Sequence, residues 1–93
     1  MKLGSFPKQP SERLSCSVTY TDALDSGDSI SIVSSCIAEP AGLTVTSVLV
    51  SDDRVRLWVS DGLDGTSYKI TVTTATHGGE IFEDELTCKV KSV

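Results

Sequence analysis

The sequence has few of the residues on which nucleic-acid binding and membrane insertion depend. Lysine and arginine number only 8 of 93 residues and the formal net charge is −5, so the chain lacks the clustered positive charge that neutralises phosphates. No apolar run approaches the ~20 residues that span a bilayer, and residues 1–7 contain no hydrophobic segment typical of a secretory signal. We therefore expect a chain made in a cytoplasm, or else a mature fragment, with neither a nucleic acid nor a membrane as partner.

Residue patterns that carry chemistry are equally scarce. The single histidine, His77, lies in a glycine turn without a serine or cysteine motif beside it, and no phosphate-binding loop or metal-ligand spacing is present. The sequence therefore predicts a non-enzymatic protein with no cofactor and no bound metal. Cys16, Cys36 and Cys88 fall in the apolar register of predicted strands, which favours small buried hydrophobic residues. A single disulfide, Cys36–Cys88 or Cys16–Cys88, is the alternative.

The clearest pattern that is present predicts a β-hairpin between Gly65 and Val90. Apolar and polar residues alternate over residues 68–73 and again over residues 86–91, with His77-Gly78-Gly79 between the two stretches. Such alternation predicts strands with one buried face, and the glycines predict the turn that joins them. Tyr68 stands near the start of the penultimate strand, where the hydroxyl of a tyrosine corner bonds back to the preceding loop.

Four further strands are predicted at residues 13–20, 29–38, 43–50 and 54–60, separated by segments rich in turn residues. The strand at 29–38 is apolar on both faces, so it is either covered on both sides or bulged, and a bulge is expected near Thr46-Ser47 in the next strand.

Six to seven short strands without helical periodicity predict an all-β fold. We expect an immunoglobulin-like or fibronectin-III-like antiparallel β-sandwich over residues 13–93, with a six-stranded barrel as the alternative. Residues 1–12 contain two prolines and no alternation, so they are predicted to form an extended N-terminal arm or a frayed terminus.

The alternating direction of the strands predicts which loops share an end of the sandwich. Loops 21–28, 51–53 and 77–80 fall at one acidic end, while loops 39–42 and 61–66 fall at the other, together with both termini. This polarity suits contact with a complementary partner, although aspartate is also a common turn residue and calcium binding is a weaker alternative. The candidate contact residues at the acidic end are Asp25, Asp28, Asp52 and Asp53, with Asp22 and Glu80 beside them.

A second candidate interface lies on the strand at residues 54–60, where Arg54, Arg56 and Trp58 are predicted to face outward. Tryptophan and arginine are enriched in the hot spots of protein interfaces. The alternatives are an indole covered by neighbouring long side chains, or a strand shifted by one residue. The N-terminal segment adds further candidates for contact with a neighbour, namely Phe6, Pro7, Lys8 and Pro10.

Several segments resemble those of one family. They are Lys8-Gln9-Pro10, Gly27-Asp28-Ser29-Ile30, Glu39-Pro40-Ala41-Gly42, Leu57-Trp58-Val59-Ser60-Asp61-Gly62 and Gly65-Thr66-Ser67-Tyr68. In these segments the chain is similar to the small immunoglobulin-like structural proteins of tailed bacteriophages, of the fiber–tail adaptor type.

The resemblance implies a non-enzymatic virion component, made in the host bacterial cytoplasm and present in several copies. Its expected partners are other virion proteins of the tail, neck, fiber or capsid, together with copies of itself in a symmetric assembly. The alternatives are a phage capsid decoration protein, or an immunoglobulin-like module of a bacterial surface adhesin or carbohydrate-binding protein.

Overall fold

The computed structural model describes residues 1–93 and consists of seven strands joined by turns and loops, with no helix that could cross a membrane. A four-stranded sheet has the order β1-β7-β6-β3, and a three-stranded sheet has the order β2-β5-β4. The two sheets pack over one apolar core, which confirms the predicted all-β sandwich. The strands are β1 (Lys2–Lys8), β2 (Leu14–Thr19), β3 (Ile30–Glu39), β4 (Leu43–Ser51), β5 (Arg54–Asp61), β6 (Ser67–Thr76) and β7 (Ile81–Val90).

The centre of the core comes from alternate residues of β5 and β6. Because successive side chains of a strand point to opposite faces, every second residue of these strands enters the core and its neighbours remain outside. Burying one such aliphatic side chain stabilises the fold by roughly 1.5–3 kcal/mol. The fully buried residues are Val55, Leu57 and Val59 on β5, and Tyr68, Ile70 and Val72 on β6.

Tyr68 forms the predicted hydrogen bond to the loop that precedes β6. Its hydroxyl accepts the backbone N–H of Leu63 at 2.9 Å. Gly62, next to Leu63, has a φ of +102°, and a Cβ atom there would lie 2.8 Å from Cγ2 of Val90. The loop therefore follows one path, because the tyrosine holds it and only glycine fits beneath it.

The first strand corrects the prediction for residues 1–12. β1 pairs in parallel with β7, so residues 2–8 form an edge strand of the four-stranded sheet and not an arm. An edge strand tolerates a proline such as Pro7 because only one of its edges needs partners. The parallel direction places the Met1 amine at the carbonyl of Glu83, 2.8 Å away, and not beside loops 39–42 and 61–66 as expected.

Irregular pairing occurs in both strands for which a bulge was considered, but not at both predicted places. β3 shifts register between Ile30 and Ile32 and again further along, which confirms a bulged strand. β4 pairs regularly with β5 from Leu43 to Leu49, and its shift lies between Leu49 and Ser51. The prediction of a bulge at Thr46-Ser47 was wrong because it assumed that Val48 and Val50 face the core, whereas both are exposed.

The three cysteines are free thiols, so neither alternative disulfide is present. Cys88 is buried, and Cys16 and Cys36 are half-buried against the core. Burial raises the pKa of all three thiols, which keeps them neutral at physiological pH.

Candidate functional site

The loops predicted to share one end of the sandwich do meet there. The backbone N–H of Tyr20 donates to the carbonyl of Asp53 at 2.7 Å, which joins the segment after β2 to the turn between β4 and β5. The N–H of Gly78 donates to Oδ1 of Asp28 at 2.9 Å, which joins that segment to the turn between β6 and β7. We call this surface the acidic end, and its members are Asp25, Asp28, Asp52, Asp53 and Glu80.

Two carboxylates of the acidic end are held in the ionised form by hydrogen bonds. Asp53 accepts from the hydroxyls of Thr21 and Ser51, and these bonds lower its pKa from the ordinary value. The pKa of Asp28 is lowered by hydrogen bonding from the Thr76 hydroxyl and by backbone N–H groups, among them that of Gly78. Both groups therefore keep their negative charge in mildly acidic solution.

The pKa of Glu80 is shifted in the opposite direction. A shared hydrogen bond with Asp25 and the negative charge of that residue raise the pKa of Glu80, because two nearby carboxylates resist being ionised together. A cationic partner would relieve this repulsion. No set of three His, Cys, Asp or Glu side chains in the chain is grouped as the ligands of a metal ion would be.

The outer face of the three-stranded sheet presents the predicted tryptophan and arginines. Trp58 lies opposite Ser15 on β2 and Thr46 on β4, and Arg54 and Arg56 precede it on the same face of β5. The indole is half-buried because the guanidinium of Arg13 lies over its ring, 4.2 Å from the centroid. The alternative of an indole covered by a long side chain is thus the observed arrangement, with Arg13 as the cover.

This surface, which we call the basic face, consists of Arg13, Arg54, Arg56 and Trp58. The only ion pair in the chain joins the Met1 amine to Asp84 at 3.8 Å, so none of the three arginines has a carboxylate partner. The rest of the face carries small polar side chains and one valine: Ser15, Ser17 and Thr19 on β2, Ser60 on β5, and Thr44, Thr46, Val48 and Ser51 on β4. Carboxylates lie only at its margins, where Asp61 accepts from the Thr44 hydroxyl at 2.6 Å and Asp53 accepts from the Ser51 hydroxyl at 2.9 Å.

The N-terminal candidates are corrected by the structure at one position. Lys8 is only 2% exposed, and its ammonium donates to the carbonyls of Gln9, Pro10 and Asp61, so it cannot reach a partner. Lysines are almost never fully buried, which is why the sequence placed it on the surface. Of the other candidates, Phe6 is half-buried against the core, Pro10 is half-buried and Pro7 is exposed.

One exposed segment was missed by the sequence analysis. Val48, Leu49 and Val50 on β4 are 48%, 39% and 42% exposed. Three consecutive apolar residues cannot all face a core in a strand whose side chains alternate. That run was the available signal, but it was taken as a sign of a bulge.

Comparison with known proteins places this sandwich in a family. The model of the family described as podophage GP4 fiber-tail adaptor protein gp77 matches residues 8–89. The chain belongs to this family. It is therefore a phage structural protein of the adaptor type, which agrees with the resemblance noted in its sequence.

The solved structures add a likeness of fold. The structure titled "Solution Structure of Amebosin" is similar to this chain, with a TM-score of 0.53 and 14% sequence identity. The likeness covers 97% of this chain and 96% of that chain, and at such low identity it concerns the fold alone. No curated protein sequence matches this chain.

Proposed function

We propose that this chain is a non-enzymatic virion adaptor that joins tail or neck components to fiber components through the outer surface of its sandwich. The observation that carries the proposal is the basic face, where exposed arginines without carboxylate partners flank a half-covered indole in a chain of net charge −5. The adaptor family supports the general role, and the two charged surfaces supply the contacts.

The basic face fits an acidic surface of one partner. Arg54 and Arg56 are exposed on a rigid central strand, and an arginine forms strong bidentate hydrogen bonds with a carboxylate. Arg13 already lies on Trp58, so the indole is held in one orientation before a partner arrives. A tryptophan surrounded by arginines has the composition of an interface hot spot.

The acidic end fits a basic surface of a second partner. Its carboxylates repel the acidic surface that the basic face attracts, so each partner is directed to one place on the sandwich. The repulsion between Asp25 and Glu80 adds to this preference, because bringing up a cation lowers the free energy of both carboxylates. An adaptor needs two such distinguishable surfaces.

The test is incorporation into phage particles by variants of equal stability. Reversing the charge of Arg56 by Arg56→Glu should reduce the amount of this protein in purified particles by at least about 10-fold, since like charges juxtaposed in an interface cost several kcal/mol. Trp58→Ala should clearly reduce the amount of this protein in the particles while changing its melting temperature only slightly.

The matched control is Lys69→Glu, which makes the same charge change at an exposed residue on the outer face of the four-stranded sheet. Normal incorporation of Arg56→Glu would overturn the role of the basic face. Recovery of the protein with heads separated from tails would instead support the capsid decoration alternative.

A further inference from the structure

The four edge strands of the two sheets differ in how they are guarded against pairing with other chains. Natural edges usually carry a charge, a proline or a bulge, or are very short. β1 has Lys2, Pro7 and a register shift, and β3 has two register shifts. β2 has six residues, and its apolar side chains are at least half-buried. β4 pairs regularly with β5 over Leu43–Leu49, and this stretch has no charge, proline or register shift, since its one shift lies beyond it, between Leu49 and Ser51.

β4 is also the most exposed apolar segment within a strand of the three-stranded sheet. Leu49 lies opposite the fully buried Val55 and so faces inward, yet it remains 39% exposed because no strand continues the sheet beyond β4. Val48, on the outer face, is 48% exposed. Three consecutive exposed apolar residues are a fault in a monomer unless they serve an interaction.

We propose that β4 is an interface between two copies of this chain. In this arrangement β4 pairs antiparallel with β4 of a second copy about a two-fold axis at Thr46, the middle of the regular stretch. The two three-stranded sheets then become one sheet of six strands, and each unguarded edge supplies the hydrogen-bond partners that the other lacks.

The sequence of β4 is complementary to itself in this register. Thr46 meets Thr46 of the second copy, Thr44 meets Val48, and Leu43 meets Leu49, with each pair on one face of the joined sheet. Pairs of threonines and of apolar residues are among the cross-strand pairs that stabilise antiparallel sheets.

Charge favours a second copy over a foreign strand. A two-fold contact brings the same surface patch of both copies together, so any charge near the axis meets its own like. Residues 40–51 contain no ionisable side chain, although the chain as a whole carries a net charge of −5. A foreign strand could accept or even need a charged edge, whereas a copy of the same edge cannot.

The arginines of the basic face do not oppose this dimer. Arg56 on β5 would be separated from Arg56 of the second copy by three strand spacings of about 4.8 Å, or about 14 Å. This distance exceeds the Debye length of about 8 Å at physiological ionic strength, so their repulsion is largely screened. The dimer would carry two basic faces on one continuous sheet, but its formation does not depend on the function proposed for them.

The oligomeric state of the purified protein tests the inference. Sedimentation over concentrations up to millimolar should show a discrete dimer. Val48→Lys should raise its dissociation constant at least about 10-fold, because a charge at the edge replaces the contact that Val48 makes with Thr44 of the second copy. The matched control is Ser17→Lys, an exposed outward-facing residue on β2, the opposite edge of the same sheet. A monomer at every concentration, irregular aggregates, or equal effects of the two lysines would each overturn the proposal.

A crosslink tests the pairing itself. Residues opposite each other in antiparallel strands have Cα atoms about 4.5–5.5 Å apart, within the range that a disulfide bridges. Thr46→Cys should therefore give a covalent dimer on oxidation, above the background of the wild-type chain with its three thiols. A dimer in which Thr46→Cys crosslinks no better than Ser17→Cys would show that another surface forms the contact. Neither measurement uses phage particles, so failure here leaves the adaptor role untouched.

Discussion

The two ends of the sandwich are held together in opposite ways. At the end formed by loops 39–42 and 61–66, which we call the lysine end, the ties are buried: the Lys8 ammonium binds backbone carbonyls and the Tyr68 hydroxyl binds a backbone N–H. At the acidic end the side-chain ties run through solvent-facing carboxylates such as Asp53, bound by hydroxyls of neighbouring loops. Water competes for the second kind of bond and not for the first, so the lysine end contributes more stability.

This difference separates stability from binding. The exposed side chains of the acidic end and of the basic face can be altered without unfolding the domain, because little of the folding free energy depends on them. The Lys8 ammonium and the Tyr68 hydroxyl of the lysine end cannot be altered without a loss of stability, and both are buried and therefore inaccessible to a partner. The adaptor role proposed above would use this division, since contacts could then change with the partners while the shape stays constant.

The largest expected effect is the removal of the buried lysine. Lys8→Ala should lower the free energy of unfolding by about 3 kcal/mol, since it leaves buried carbonyls without a donor, and Lys8→Met should lose a similar amount despite keeping the side-chain volume. Urea denaturation measures both. Lys2→Ala, at an exposed position of the same strand, should change stability by no more than about 0.5 kcal/mol. If the variants at positions 2 and 8 behave alike, Lys8 is not a structural tie.

A smaller effect is expected from the tyrosine of the same end. Tyr68→Phe removes the acceptor of the Leu63 N–H and should cost about 1–2 kcal/mol in the same assay. The matched variant is Tyr20→Phe, because the Tyr20 hydroxyl is also buried but makes no hydrogen bond of normal geometry, although Thr74 and Asp84 lie beside it. That variant should be neutral or slightly stabilising. Equal losses from the two substitutions would mean that the ring and not the hydroxyl secures the lysine end.

The sequence predicted those parts of the molecule that depend on local patterns. Alternation located β6 and β7 closely, and the position of Tyr68 after the Asp64-Gly65 turn was enough to predict its hydrogen bond. It could not predict β1, because pairing with a distant strand and not alternation fixes that segment. Contacts between residues far apart in the chain were missed for the same reason, including the burial of Lys8 and the placement of Arg13 over Trp58.

At the acidic end, stability should depend on pH through Asp53. Its pKa is lower in the folded chain than the ordinary 3.8, so its contribution is fully present above 3.8 and is lost as the pH falls through the folded value. Asp53→Asn should therefore reduce the melting temperature slightly at neutral pH and weaken its fall in acid. Asp22→Asn, in the exposed loop beside it, is the control. An unchanged acid transition in Asp53→Asn would contradict the assignment.

The smallest effect has the opposite sign and comes from Asp25 and Glu80. The hydrogen bond that they share and the negative charge of Asp25 raise the pKa of Glu80 above its ordinary 4.5. The ionised pair therefore destabilises the fold at neutral pH and ceases to do so as the pH falls through the raised value. Asp25→Asn should consequently raise the melting temperature slightly at neutral pH and return the pKa of Glu80 toward its ordinary value, which carboxyl NMR measures directly. A Glu80 titration that Asp25→Asn leaves unmoved would mean that the two carboxylates are not coupled. A basic partner bound to the acidic end should lower the same pKa, because a cation favours the ionised form. The titration of Glu80 therefore reports on both the repulsion and its relief.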